Sequence, residues 1–252
     1  ITYFFLIYSW RTVWQGIAIL IILFLPLVFL NTIKSINIDS READTNSNKK
    51  KTKIKSWRRR DVLKDYRFYI VSLNMLAMPW LATGIFVYQS FISESKLWAV
   101  YTIPKAFMVY SITSIITLFM SGFLVDKFTG RKLILYMNLP LLLAMFTLFQ
   151  FNHEISAYVF LGLIGVSNGL ANILGSSTWA EIYGVKYIGS IKALTTAFMV
   201  FSTAFGTAVF GLLIDRAFTI EYIAFVGGAY IVVSLSLLVI FRKTIEPVKL
   251  VN

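Results

Sequence analysis

Gly122-Phe123-Leu124-Val125-Asp126-Lys127-Phe128-Thr129-Gly130-Arg131-Lys132 joins the end of one uncharged run, residues 106–125, to the start of another, residues 133–152. Each run is 20 residues long and contains no Asp, Glu, Lys, Arg or His. A bilayer core about 30 Å thick is crossed by roughly 20 apolar residues of helix. The quoted stretch therefore reads as a short turn at the membrane surface between two crossings. Gly122 carries no side chain and lets a neighbouring helix approach closely. Asp126 ends its helix where the N-terminus of a facing helix favours an anion. Gly130 is expected to supply the positive φ of a tight turn.

The same kind of window recurs along the chain at residues 12–33, 68–93, 155–180, 193–214 and 222–241. The seven windows hold 156 of the 252 residues. Overall the chain is 58% apolar and 14% charged, with a mean hydropathy of +0.73. Soluble domains run about 25% charged, so an all-α membrane protein is predicted. Cysteine is absent and His153 is the only histidine. That excludes disulfides and thiolate metal sites and leaves no Ser-His-Asp constellation to expect. No enzyme activity, cofactor or metal is expected. No Asp or Glu lies inside a window, so no membrane-embedded proton carrier is expected either.

Alternate connectors must face opposite sides of the membrane. Those at residues 34–67, 126–132, 181–192 and 242–252 carry 20 Lys/Arg, and the other set carries four. Basic residues mark the cytoplasmic side, which predicts a multi-pass protein of the cell membrane with a cytoplasmic C-terminus. The connector 34–67 is polar and like-charged, with Lys49-Lys50-Lys51 and Arg58-Arg59-Arg60. Such composition predicts a disordered or surface-associated loop. Its partner is membrane lipid, with no nucleic acid bound.

The six windows after that loop divide into two triplets. The middle window of the first runs into Gly122-Phe-Leu-Val-Asp126, that of the second into Gly211-Leu-Leu-Ile-Asp215, 89 residues later. Three crossings per unit make the two units enter the membrane from opposite sides, which is the pattern of inverted repeats in secondary transporters. Asp126 and Asp215 are then expected on opposite faces.

The spacing Gly122-x-x-x-Asp126-x-x-x-Gly130-Arg131-Lys132 resembles the cytoplasmic loop signature of the major facilitator superfamily. Trp10-Arg11 is similar to a Gly-Trp-Arg motif of that family, with Ser9 in place of the glycine. Trp179-Ala-Glu181-Ile-Tyr-Gly184 with Tyr187-Ile-Gly189 resembles its loop between the tenth and eleventh helices. The nearest likeness is to bacterial members such as the oxalate/formate and monocarboxylate porters. The resemblance implies a C-terminal six-helix half, a 3+3 inverted repeat, preceded by one transmembrane helix. Residues 1–33 become the end of the fifth helix and the sixth. Residues 34–67 become the basic inter-half loop, 68–241 the C-terminal half and 242–252 a cytoplasmic tail. The chain starts at Ile1 with an aromatic stretch too short to cross, so a fragment is expected, with the missing N-terminal half of the same transporter as its partner. The implied function is secondary active transport of a small-molecule solute by alternating access, an organic anion being one candidate. A seven-helix receptor or sensor, or a non-functional remnant of a split transporter, are the alternatives.

The resemblance also implies which residues matter. Asn74, Tyr88, Gln89, Asn168 and Asn172 are candidates for a substrate cavity. Asn168 and Asn172 are one helical turn apart and share a face, and either line the cavity or bond helix to helix. Lys105 follows Pro104. It lies deep enough to meet an anionic substrate if its helix begins near Leu97, and is an interfacial anchor if the helix begins near Pro104. Gly122, Asp126, Gly130, Arg131, Lys132, Glu181 and Lys192 are candidates for a cytoplasmic gate, with Arg131 expected to approach Glu181.

Overall fold

The computed structural model describes residues 10–35 and 57–246. They belong to two compact units, Ile1–Lys51 and Thr52–Asn252. The first unit contributes helix α1 (Trp10–Ser35), 26 residues with Pro26 inside it. Trp14, Leu20, Ile22 and Phe24 are exposed on α1, an apolar surface suited to hydrocarbon. The expected end of the fifth helix, the middle of the basic loop and the last residues of the tail lie outside the described residues.

The second unit holds α2 (Arg59–Leu63), α3 (Tyr66–Val87), α4 (Gln89–Ser95), α5 (Thr102–Phe128), α6 (Gly130–Leu133), α7 (Leu139–Gln150), α8 (Glu154–Tyr183), α9 (Ile188–Asp215) and α10 (Ile220–Ile240). Five of these, α3, α5, α8, α9 and α10, are long and apolar enough to cross a membrane, while Arg11–Pro26 and α7 are shorter apolar segments.

Two of the seven windows are therefore not continuous helices. Window 68–93 breaks at Tyr88, whose ψ of 26° leaves the helical range. Window 133–152 contains a turn at residues 134–138, and α7 has only 12 residues, about 18 Å of rise. A buried polar side chain accounts for this second break. Asn138 is fully enclosed and donates to the Asn74 backbone oxygen at 2.6 Å and to Asn74 Oδ1 at 3.0 Å. Pro140 then restarts the helix in its first turn, where a missing N–H has no helical partner to lose.

The basic connector is expected to be disordered or surface-associated; its residues 57–67 are folded against the rest of the second unit. The Trp57 amide donates to the Tyr183 oxygen at 3.1 Å, Val62 is fully buried, and Asp65 caps α3 through the Arg67 amide. Trp57 and Val62 supply the apolar area that the neighbouring arginine run lacks.

The packing of the second unit is reciprocal. The middle helix of each triplet lies along the first helix of the other, α5 on α8 and α9 on α3, and the third helices α7 and α10 pair with each other. Small residues make both long seams close. A Cβ at Gly169 would stand 2.7 Å from the Ser114 oxygen on α5, and one at Gly206 would collide with the Trp80 carbonyl on α3. Hydroxyls stitch the same seams: Thr113 Oγ1 donates to the Gly162 oxygen at 3.0 Å and Ser202 Oγ to the Leu76 oxygen at 3.0 Å.

Candidate functional site

One end of the second unit is built around Glu181, near the C-terminus of α8. Its carboxylate accepts from the Gly130 amide at 2.6 Å and the Arg131 amide at 3.1 Å, with Arg131 Nε 3.4 Å away. An acid at an exposed helix N-terminus satisfies amides that have no helical partner. Glu181, not Asp126, does this here; Asp126 and Lys132 are exposed. The conformation also differs from expectation. Thr129, with φ 69°, carries the positive-φ turn, and among glycines only Gly184 is in that region. Gly130 is needed for a different reason: a Cβ there would stand 2.6 Å from Ser177 Oγ and 3.2 Å from Glu181 Oε1. At Gly122 an added Cβ meets nothing within 4 Å, so the close approach expected of that glycine is not made among the described residues.

The same end gathers further charge. Arg67 forms a buried pair with Asp65, 2.8 Å apart, and donates to the Glu246 backbone oxygen at 2.9 Å. Arg58 and Lys186 approach the Tyr187 ring at 5.9 and 5.5 Å from its centroid. A hydrogen bond from Arg58, with the Lys186 charge behind it, pulls the Tyr187 phenol below its ordinary range.

The opposite end is closed by a pair that sequence reading missed. Lys96 Nζ reaches Glu221 and Asn152, and Trp98 Nε1 donates to the Asn152 oxygen at 2.8 Å. Asp215 ends α9, whose first residue follows Tyr187. A helix of 28 residues rises about 42 Å, so Asp126 and Asp215 stand at opposite ends.

Between the ends lies a cavity of about 410 Å³ bordered by α3, α5, α8 and α9. Asn168, Asn172 and Lys192 line it, with Ser72, Ser176 and Thr83 as further polar groups. Asn168 also bonds across to α5, donating to Ser114 Oγ at 3.0 Å, and Asn172 Nδ2 donates to the Asn168 backbone oxygen at 2.9 Å. The pair thus touches the cavity while Asn168 also ties helix to helix.

The other cavity candidates stand elsewhere. Asn74 is fully buried, bonded to Asn138 and, through Nδ2, to the Ile134 oxygen at 3.3 Å. Tyr88 stacks on Phe210, centroids 6.3 Å apart. Gln89 lines a separate pocket with Ser90, Ser93 and Glu94. Lys105 sits exposed in the first turn of α5, where a long cationic side chain anchors at the interface. Lys192, expected at the gate, is exposed near the Glu181 end and also borders the cavity. Ser72 was not singled out by sequence; as one of several serines in apolar helix it gives no pattern.

A family model described as Major Facilitator Superfamily matches residues 1–199. No curated protein matches the chain.

Proposed function

The chain belongs to the major facilitator superfamily, a family of membrane transporters, and we propose that it moves a small solute by alternating access as a secondary active transporter. The cavity bordered by α3, α5, α8 and α9, with Asn168 and Asn172 on its wall, carries this reading. Both amides already donate within and between helices, and their place on the cavity wall, beside Ser176 and Thr83, gives a polar occupant groups to meet.

Arg58, Arg131, Lys132, Lys186 and Lys192 gather at the end that holds Glu181, and Lys96, Lys105 and Arg216 at the other. Positive charge favours the cytoplasmic side, so the Glu181 end and the C-terminus face the cytoplasm and anionic headgroups. Asp126 and Lys132, exposed at that end, are the groups available to a facing helical lobe. Glu181 with Gly130 and Arg131 forms the hinge that holds their turn. Each such contact is worth about 1 kcal/mol or less where exposed, a scale suited to two nearly equal states.

The test is counterflow. Liposomes containing the purified chain are loaded in turn with unlabelled lactate, oxalate, glucose, leucine or choline, and uptake of the radiolabelled solute is followed. Saturable uptake of at least one solute, lost in Asn172→Leu, is the expected result. Uptake equal to that of protein-free liposomes for every solute would overturn the reading.

A further inference from the structure

We infer that the cavity between α3 and α8 recognises a neutral amphipathic solute, with hydrogen-bonding groups along one edge and an apolar ring or chain along the other; this rests on the transport reading and names its solute class. Helix α3 packs along α9, and α8 along α5, so the space between α3 and α8 is left to the cavity. The two helices present unlike walls to it.

On α8, Asn168, Asn172 and Ser176 follow one another at one-turn spacing, all on the cavity wall. Residues four apart on a helix share a face, so the three make a polar stripe. Ala171 and Gly175 stand beside them on the same wall, and a Cβ at Gly175 meets nothing within 4 Å. These small residues leave room for an occupant against the stripe. On α3, Met75, Met78, Ala82 and Phe86 fall at steps of three and four residues on the cavity wall, the pattern of a single apolar face. Thioether side chains mould to ligands of varied shape. An apolar wall strips water from any hydroxyl pressed against it and returns no hydrogen bond, so a solute that is polar all round is matched on one side only.

Ser72 adds a polar point on the α3 side. It is 7% exposed, lines the cavity, and its hydroxyl has no hydrogen-bond partner. A buried donor left unbonded is a cost that an oxygen of the occupant removes.

The absence of charge sets the class. Among the described residues no Asp or Glu lines the cavity, and its one cationic residue, Lys192, is exposed near the Glu181 end, where water and salt screen it. An ionic head entering the cavity would lose hydration with no counter-charge to replace it. A neutral carbonyl, amide or hydroxyl loses only bonds that the α8 stripe and Ser72 can return.

The chain has no cysteine, so Gly175→Cys places a single thiol in the cavity. Thr196→Cys, at an exposed position that also lines it, serves if the first variant fails to fold. Alkylation by N-ethylmaleimide is timed in the purified chain with benzamide or indole-3-acetamide, with benzoate or indole-3-acetate, with the cation benzyltrimethylammonium, or with glucose. A ligand at about four times its Kd slows labelling about fivefold, because only about one site in five is then empty. At least one carboxamide should reach that protection, while the carboxylates, the cation and glucose should not. In the same background Asn172→Leu should still be labelled but lose the protection, and Ser72→Ala should weaken it roughly threefold. Equal protection by a carboxylate, by the cation or by glucose, protection unchanged in Asn172→Leu, or none from either carboxamide would each overturn the inference. Counterflow of lactate or choline without protection by a carboxamide would leave the transport reading standing alone; protection by a carboxamide without counterflow of any solute would remove the transport reading and leave the binding site.

Discussion

Lys96 Nζ lies 2.7 Å from Glu221 Oε1 and 2.7 Å from Asn152 Oδ1, with its side chain fully enclosed and that of Glu221 38% exposed. The contacts join the end of α4, the chain after α7 and the start of α10. A buried cation with two acceptors is favourable only while both are present, since stranding an ion costs more than the pair contributes.

Lys96→Met should therefore lower the unfolding free energy of the purified chain by about 2 kcal/mol. That is less than the ~3–5 kcal/mol of a wholly buried pair, because Glu221 reaches water. Thermal unfolding in detergent reads the loss, and an unchanged midpoint would show that the pair contributes nothing.

Glu181→Ala removes the acceptor of the Gly130 and Arg131 amides. Hydrogen exchange at those two amides should accelerate by about tenfold, equivalent to ~1.4 kcal/mol and within the range of a charge-assisted bond. Glu181→Gln should fall between, since an amide oxygen still accepts.

Gly206→Ala and Gly122→Ala form a matched pair. The first drives a methyl into the Trp80 carbonyl, while the second points into open space. Gly206→Ala should destabilise by about 1–3 kcal/mol through overpacking, and Gly122→Ala by no more than about 0.5 kcal/mol. Equal effects would contradict the described α3–α9 seam.

Tyr187 should ionise below the usual tyrosine range, and its ultraviolet titration should move up toward that range in Arg58→Gln, with Lys186 still holding it down in part. Its acidic group has a depressed value in the fold, so the folded protein holds fewer protons than the unfolded chain between that value and 10. Stability should rise with pH across that window and lose the contribution as pH falls through the lowered value.

Hydropathy made the crossings legible, because lipid demands long uncharged helix whatever the packing. It hid the breaks at Tyr88 and at 134–138; at the second, one hydrogen-bonded asparagine outweighs an apolar run. Asn168 and Asn172 could be found from their one-turn spacing. That Lys192 also borders the cavity was not legible, because sequence shows how near a residue is to a helix end but not which way it turns. The Lys96–Glu221 contact spans 125 residues, and no local pattern announces a partner so far away.

The crossed seams also constrain birth order. A nascent chain that has produced only α3 to α5 has neither α8 nor α9 to lie against, so glycine-lined grooves and buried hydroxyls wait open in the insertion machinery. The lobe closes only after synthesis has passed Asp215, and truncation before that point should yield a product recognised by membrane quality control rather than a smaller stable bundle.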